Sequence, residues 1–98
     1  MEVSKIQNEK SLTVAVKGRI DTSTAPTLEE ELKNSLDGVE NLTFDFTGVE
    51  YISSAGLRVM LATQKIMNRQ GEMEIIGVND TVMEIFDVTG FSDIIKIN

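Results

Sequence analysis

The 98-residue sequence contains no cysteine and no histidine. That excludes disulfides, thiolate nucleophiles, Cys/His metal sites and every catalytic dyad or triad built on an imidazole. Cationic clusters are missing too. Lys and Arg number 9 against 16 Asp and Glu, the formal net charge is −7, and no basic run exceeds a pair. Affinity for nucleic acid or an anionic membrane depends on basic patches, so neither partner is expected, whereas a basic protein partner is compatible with the acidic balance. No apolar run approaches the roughly 18 residues of a spanning helix, and the opening MEVSKIQNEK lacks the apolar core of a signal peptide, which leads us to expect a cytoplasmic protein. No Gly-rich phosphate loop with its lysine is present, since Gly48 and Gly56 are too widely spaced to form one.

What remains is ordinary globular composition. Hydrophobic residues make 41% and charged residues 26%, which argues against disorder, and the length allows one core spanning residues 1–98. Residues 3–7 carry a faint strand signal. From Ser11 to Gly18, Leu12, Val14 and Val16 alternate with Thr13, Ala15 and Lys17, which predicts a strand in a hairpin with the first. Capping residues and Pro26 then precede an amphipathic helix with Ala25, Leu28, Leu32 and Leu36 buried, and Glu29, Glu30 and Glu31 near the N-terminus where the helix dipole favours them.

Leu42, Phe44 and Phe46 alternate with Thr43 and Asp45, predicting a central strand that Thr47 and Gly48 end. Val49, Tyr51 and Ile52 lead into Ser53 and Ser54, hydroxyl residues suited to cap a helix. Leu57, Met60, Leu61 and Met67 form one apolar stripe on that helix, and Ala55, Val59, Ala62 and Ile66 form another, so the helix is expected to be largely covered. Gly71 follows as its C-terminal glycine. A strand over 73–78, a short helix capped by Asn79 or Asp80, a break at Thr89-Gly90-Phe91, and an end segment with Ile94, Ile95 and Ile97 complete the pattern. Alternating strands and helices after a hairpin imply an α/β fold: a mixed, mostly parallel sheet of four to five strands with helices packed against it. Loops Asp21–Thr24 and Val49–Ser54 then share the edge at the strands' carboxyl ends.

A helix start favours an anion, so a phosphoryl group on Ser54 is well placed there, while Gly56 reads either as room for something approaching the backbone or as relief of packing. Spacing alone favours the plainer reading, in which the serines cap and the glycine packs. An Asp21–Asp45 carboxylate pair lacks a positioned nucleophile and is set aside.

The segment Gly48-Val-Glu-Tyr-Ile-Ser-Ser-Ala-Gly-Leu-Arg-Val59 resembles the signature of the STAS domain, the fold of bacterial anti-sigma factor antagonists. Gly18 to Pro26 is similar to that family's Gly-x-Leu-Asp-x-x-Thr-Ala pattern, and Phe86 to Gly90-Phe91 matches its Phe-x-x-Thr-Gly-Phe. The resemblance covers Val3 to Ile97. It departs at Ser53, where the best-known members carry aspartate, and at Ala55, where they often carry a hydroxyl.

The resemblance implies a non-enzymatic regulator whose unmodified form binds an anti-sigma factor with serine kinase activity, releasing a sigma factor. Phosphorylation switches that binding off. It makes Ser54 the phosphorylated serine and points to a phosphoserine phosphatase as a further partner. ATP belongs to the kinase, so no cofactor is assigned. The expected partner-binding residues are Asp21, Thr22, Ser23, Thr24, Ser53, Ser54, Gly56, Leu57 and Arg58. The alternative is a STAS-like module holding an anionic metabolite or nucleotide at the helix start, Ser53 to Gly56.

Overall fold

The computed structural model describes residues 1–98. Strand β1 (Glu2–Asn8) turns back into β2 (Ser11–Ile20), followed by α1 (Ala25–Lys33), β3 (Asn41–Ile52), α2 (Ser54–Met67), β4 (Glu72–Ile76), α3 (Asp80–Thr89), a 3-10 turn (Phe91–Asp93) and β5 (Lys96–Ile97). The five strands lie in chain order, β1 antiparallel to β2 and the rest parallel. This is the expected mixed sheet, with the undecided end segment resolved as a short fifth strand.

Parallel strands in sequential order, joined by right-handed crossovers, put all three helices on one face. Burial follows that geometry. Leu42, Phe44 and Phe46 of β3 are at most 1% exposed and join Leu28 and Leu32 of α1, Met60 and Met67 of α2, and Phe86 of α3 in one core. Phe46 lies between Phe44, edge-on at 6.0 Å, and Phe86, stacked at 6.4 Å. The other face carries Thr13, Ala15, Thr43 and Asp45, aligned across β2 and β3. Asp45 accepts the backbone N–H of Thr47 at 3.0 Å and its hydroxyl at 2.6 Å, the hydroxyl being the main reason its carboxyl is held below the ordinary range.

Four expectations are corrected. Thr47 and Gly48 do not end β3. Irregular register opposite Ala15–Lys17 and Gly18–Arg19 lets the strand continue to Ile52, and Val49, Tyr51 and Ile52 belong to it. Helix α2 is covered on one side only, because Ala62 is exposed and Ile66 is 45% exposed, while Thr63 and Gln64 are buried instead. Thr63 is tolerated there because its hydroxyl donates to the Val59 carbonyl at 2.7 Å. The three glutamates of α1 lie beyond its first turn, which holds no acid. Gly71 is not a left-handed helix terminator: a Cβ on it would collide with the Glu40 backbone, so glycine is needed for the close crossing of two chain segments.

Candidate functional site

The site begins where β2 and β3 end side by side. Ile20 is opposite Ile52, and the Ser53 N–H donates to the Ile20 carbonyl at 2.8 Å. The loops leaving the two strands are therefore held together, as parallel pairing requires.

The first loop is organised by Asp21. Its Oδ1 accepts the Ser23 hydroxyl at 2.8 Å and the backbone N–H groups of Ser23 at 3.0 Å and Thr24 at 3.2 Å. Its own N–H donates to Thr24 Oγ1 at 2.8 Å, and that hydroxyl donates to the Arg19 carbonyl at 2.9 Å. Such bonds favour the ionised carboxylate. The Ser23 hydroxyl is the largest influence holding Asp21 below the usual aspartate range; partial desolvation opposes it, and the backbone N–H groups of Thr24 and Ser23 reinforce it. Asp21 is thus the frame of its loop, leaving Thr22 and Ser23 exposed. It does not meet Asp45, which lies opposite Ala15, so roughly 15–20 Å of strand separates the two carboxylates. Arg19 lies over the Tyr51 ring at 4.6 Å, with Nε 3.9 Å from Asp21 Oδ2, a contact invisible in the sequence because β2 and β3 are far apart in the chain.

The second loop is the abrupt change from β3 to α2. Ser53 is the N-cap residue in extended conformation, yet its side chain makes no capping bond, and its Oγ is buried without a partner. Asn79 occupies the equivalent place on α3 with similar backbone angles and does cap, accepting the Val82 N–H at 2.8 Å and donating to the Val49 carbonyl at 2.9 Å. The serine-cap reading of Ser53 is therefore overturned. With no acid in its first turn either, the start of α2 keeps its positive dipole end without a side-chain anion.

Ser54 is exposed as the first residue of the helix. Gly56 is buried: a Cβ would lie 2.6 Å from Ile20 Cγ2 and 2.7 Å from Ile52 Cγ1. Of its two sequence readings the packing one holds, since the neighbour that needs the space is the pair of strand ends. Leu57 is 7% exposed and part of the core, while Arg58 is exposed one turn beyond Ser54. Gly56 and Leu57 thus lie beneath the surface that Ser54 and Arg58 occupy, because they fall on the side of α2 that faces the core. Thr22 and Arg58 line one groove between the starts of α1 and α2, together with Pro26, Glu29 and Ala55. Sequence reasoning missed these last three, since nothing in either helix alone marks its rim.

This arrangement has no imidazole or thiol to act as a nucleophile or base, and no cluster of three or more acidic residues that would hold a metal ion. It offers an exposed hydroxyl at an uncapped helix start beside a rigid polar loop. A family model described as the STAS domain matches residues 2–98. The chain belongs to the STAS family. Within that family it is similar to the anti-sigma-B factor antagonist of Bacillus subtilis (strain 168), 33% identical over 93 residues that cover 94% of this chain and 85% of that one. It is 31% identical to the anti-sigma-B factor antagonist of Staphylococcus aureus (strain NCTC 8325 / PS 47), over all of this chain and 93% of the relative. These STAS relatives are named for antagonism of another protein and not for a reaction.

The STAS fold is shared with solved structures. An anti-sigma factor antagonist from Mycobacterium paratuberculosis superposes with a TM-score of 0.89 at 23% identity, over 98% of this chain and 83% of that one. The anti-sigma factor antagonist SpoIIAA in its unphosphorylated form gives 0.85 at 12%, over 99% and 88%. No helix of the chain is long and apolar enough to cross a membrane.

Proposed function

We propose that this STAS protein is a cytoplasmic anti-sigma factor antagonist. In its unmodified form it binds an anti-sigma factor that is also a serine kinase, so that a sigma factor is released. The observation that carries the reading is Ser54, an exposed hydroxyl on the first residue of α2, in a chain whose relatives antagonise anti-sigma factors. In the switching step the Ser54 oxygen attacks the γ-phosphorus of kinase-bound ATP, ADP leaves, and the hydroxyl proton passes to a base on the kinase. The phosphoserine brings roughly −1.5 to −2 charge and three acceptor oxygens to the helix start. The uncapped N–H groups of α2 and the Arg58 guanidinium one turn away tolerate this charge within the fold, whereas a partner seated on the loop meets a new charge and a new volume. A phosphoserine phosphatase restores binding.

The test is incubation with the cognate anti-sigma kinase and ATP, followed by fragmentation of the tryptic peptide covering residues 34–58. That peptide also contains Ser35 and Ser53, so fragment ions must locate the phosphate. Phosphate on Ser54, lost in Ser54→Ala, supports the reading. Phosphate on Ser53, or persisting in Ser54→Ala, rejects the assignment.

A further inference from the structure

The chain is strongly acidic, yet its charge is not evenly spread. From Tyr51 to Gly71 there is no Asp or Glu, while Arg58, Lys65 and Arg69 all fall there, so this segment carries +3 and the remainder −10. Helical spacing puts Arg58, Ala62, Lys65 and Arg69 on one line, the last in the turn after α2, over roughly 16 Å. All four are exposed, and none of the chain's four ion pairs involves the three cations.

Beside this stripe runs a groove of about 270 Å³ between α1 and α2, floored by Leu32, Leu36, Val59 and Ala62, with the half-exposed Ile66 on its wall. Glu29 is the one carboxylate lining it and Lys33 the one cation, while Arg58, Lys65 and Arg69 follow the neighbouring line of α2 through Ala62, which the groove and the stripe share. An unpaired cationic row flanking an apolar slot matches a helix with acidic residues on one side and leucine-sized residues on the other. Net charge would call for a basic partner; the local surface calls for the opposite.

We infer that the outer face of α2, from Arg58 to Arg69, with the α1–α2 groove, docks an acidic amphipathic helix of the protein partner. The identity of that partner as the anti-sigma factor rests on the function proposed above; the surface and its chemistry do not. Phosphorylation of Ser54 alters the Arg58 end of the stripe, while Lys65 and Arg69, two to three turns further on, keep their charge and set the affinity of first encounter.

The first arm of the test needs no anti-sigma factor. The full chain, labelled with ¹⁵N, is titrated with a synthetic acidic amphipathic helix of about four turns, leucine on one face and glutamate on the other, and with its lysine counterpart. The glutamate peptide is expected to shift the amide signals of Ala62, Lys65, Ile66 and Arg69 saturably. The affinity should fall at least roughly tenfold between low and physiological salt, and the shifts should vanish in Lys65→Glu/Arg69→Glu. No saturable shift, equal shifts from both peptides, or shifts confined to the uncovered sheet face overturn the docking surface.

A dimer in light scattering that Lys65→Glu/Arg69→Glu dissolves would also overturn it, by giving the face to a second copy, whose α3 offers Asp80, Glu84 and Asp87. The second arm measures anti-sigma factor binding to the same variant, where a loss of at least roughly tenfold is expected. Unchanged affinity with normal phosphorylation of Ser54 would leave the proposed function standing and refute the docking surface. Failure of the wild-type chain to bind any anti-sigma factor would do the reverse, the peptide titration still deciding the surface.

Discussion

Replacing Gly56 by alanine tests the packing that fixes where α2 begins and thus where Ser54 is held. Two effects oppose each other. Alanine in a helix is favoured over glycine by about 1 kcal/mol. Against that, the new methyl would lie 2.6 Å from Ile20 Cγ2 and 2.7 Å from Ile52 Cγ1, both side chains being at most 1% exposed and branched at Cβ, so neither can swing aside. Overpacking of this kind costs about 1–3 kcal/mol, and a net loss of about 1 kcal/mol would lower the melting temperature by roughly 4–8 °C.

Urea melts of wild type, Gly56→Ala, Ile52→Ala and the double variant separate the causes. If the clash is the reason, the double variant is less destabilised than the two single losses added together, with a coupling of about 0.5 kcal/mol or more. A Gly56→Ala protein more stable than wild type by the full propensity gain of about 1 kcal/mol, or strict additivity with Ile52→Ala, would refute the packing account and reopen the reading in which Gly56 makes room for a ligand.

Leu57→Asp buries an unpaired carboxylate and is expected to unfold the protein or cost more than about 3 kcal/mol, whereas Ser54→Ala, at an exposed position, should stay within about 0.5 kcal/mol; equal urea midpoints would mean the faces of α2 are misassigned. Gln70 donates to the Leu36 and Val39 carbonyls at 2.7 and 2.6 Å, tying the α1–β3 connection to the end of α2. Gln70→Ala should cost about 1–3 kcal/mol in a denaturant melt, with no loss predicting instead that water replaces both bonds. Asp21 and Asp45 are both held below their ordinary value of 3.8, so the stability they contribute is present above that pH and is lost as pH falls through their lower folded values. Carbon-13 titration of the two carboxyls should give midpoints below 3.8, and a midpoint above it for either would contradict the loop bonding described.

The fold was legible because local signals agreed. Alternation at Leu12 to Val16 and Leu42 to Phe46, the proline opening α1 and the Asn79 cap each marked an element by its own chemistry. The continuation of β3 to Ile52 was not legible, since it depends on a register irregularity with β2, and Thr47-Gly48 has the composition of a strand end. The half-open state of α2 was also hidden: Ala62 and Ile66 are apolar, and their exposure reflects the gap left by α1, which ends at Lys33. At the candidate site, the family resemblance and the expected parallel sheet singled out Ser54, Arg58 and the Asp21 loop, and the structure holds the two loops side by side at the ends of β2 and β3. The silence of the Ser53 hydroxyl was not, because capping depends on a side-chain rotamer that the residue type cannot fix. The cationic row on α2 was present in the sequence all along, but a net charge of −7 conceals it until the residues are set on a helix.

In the proposed function, one phosphate on Ser54 decides whether this STAS protein engages an anti-sigma factor. Calorimetric titration of the cognate anti-sigma factor with the unmodified chain, with Ser54→Asp and with the protein phosphorylated at Ser54 tests it directly. If that phosphate is the switch, the unmodified chain binds tightly, Ser54→Asp, which carries one charge and fewer acceptor oxygens, loses part of that affinity, and the phosphoprotein loses roughly a hundredfold or more. Equal affinity of the phosphorylated and unmodified forms would contradict it.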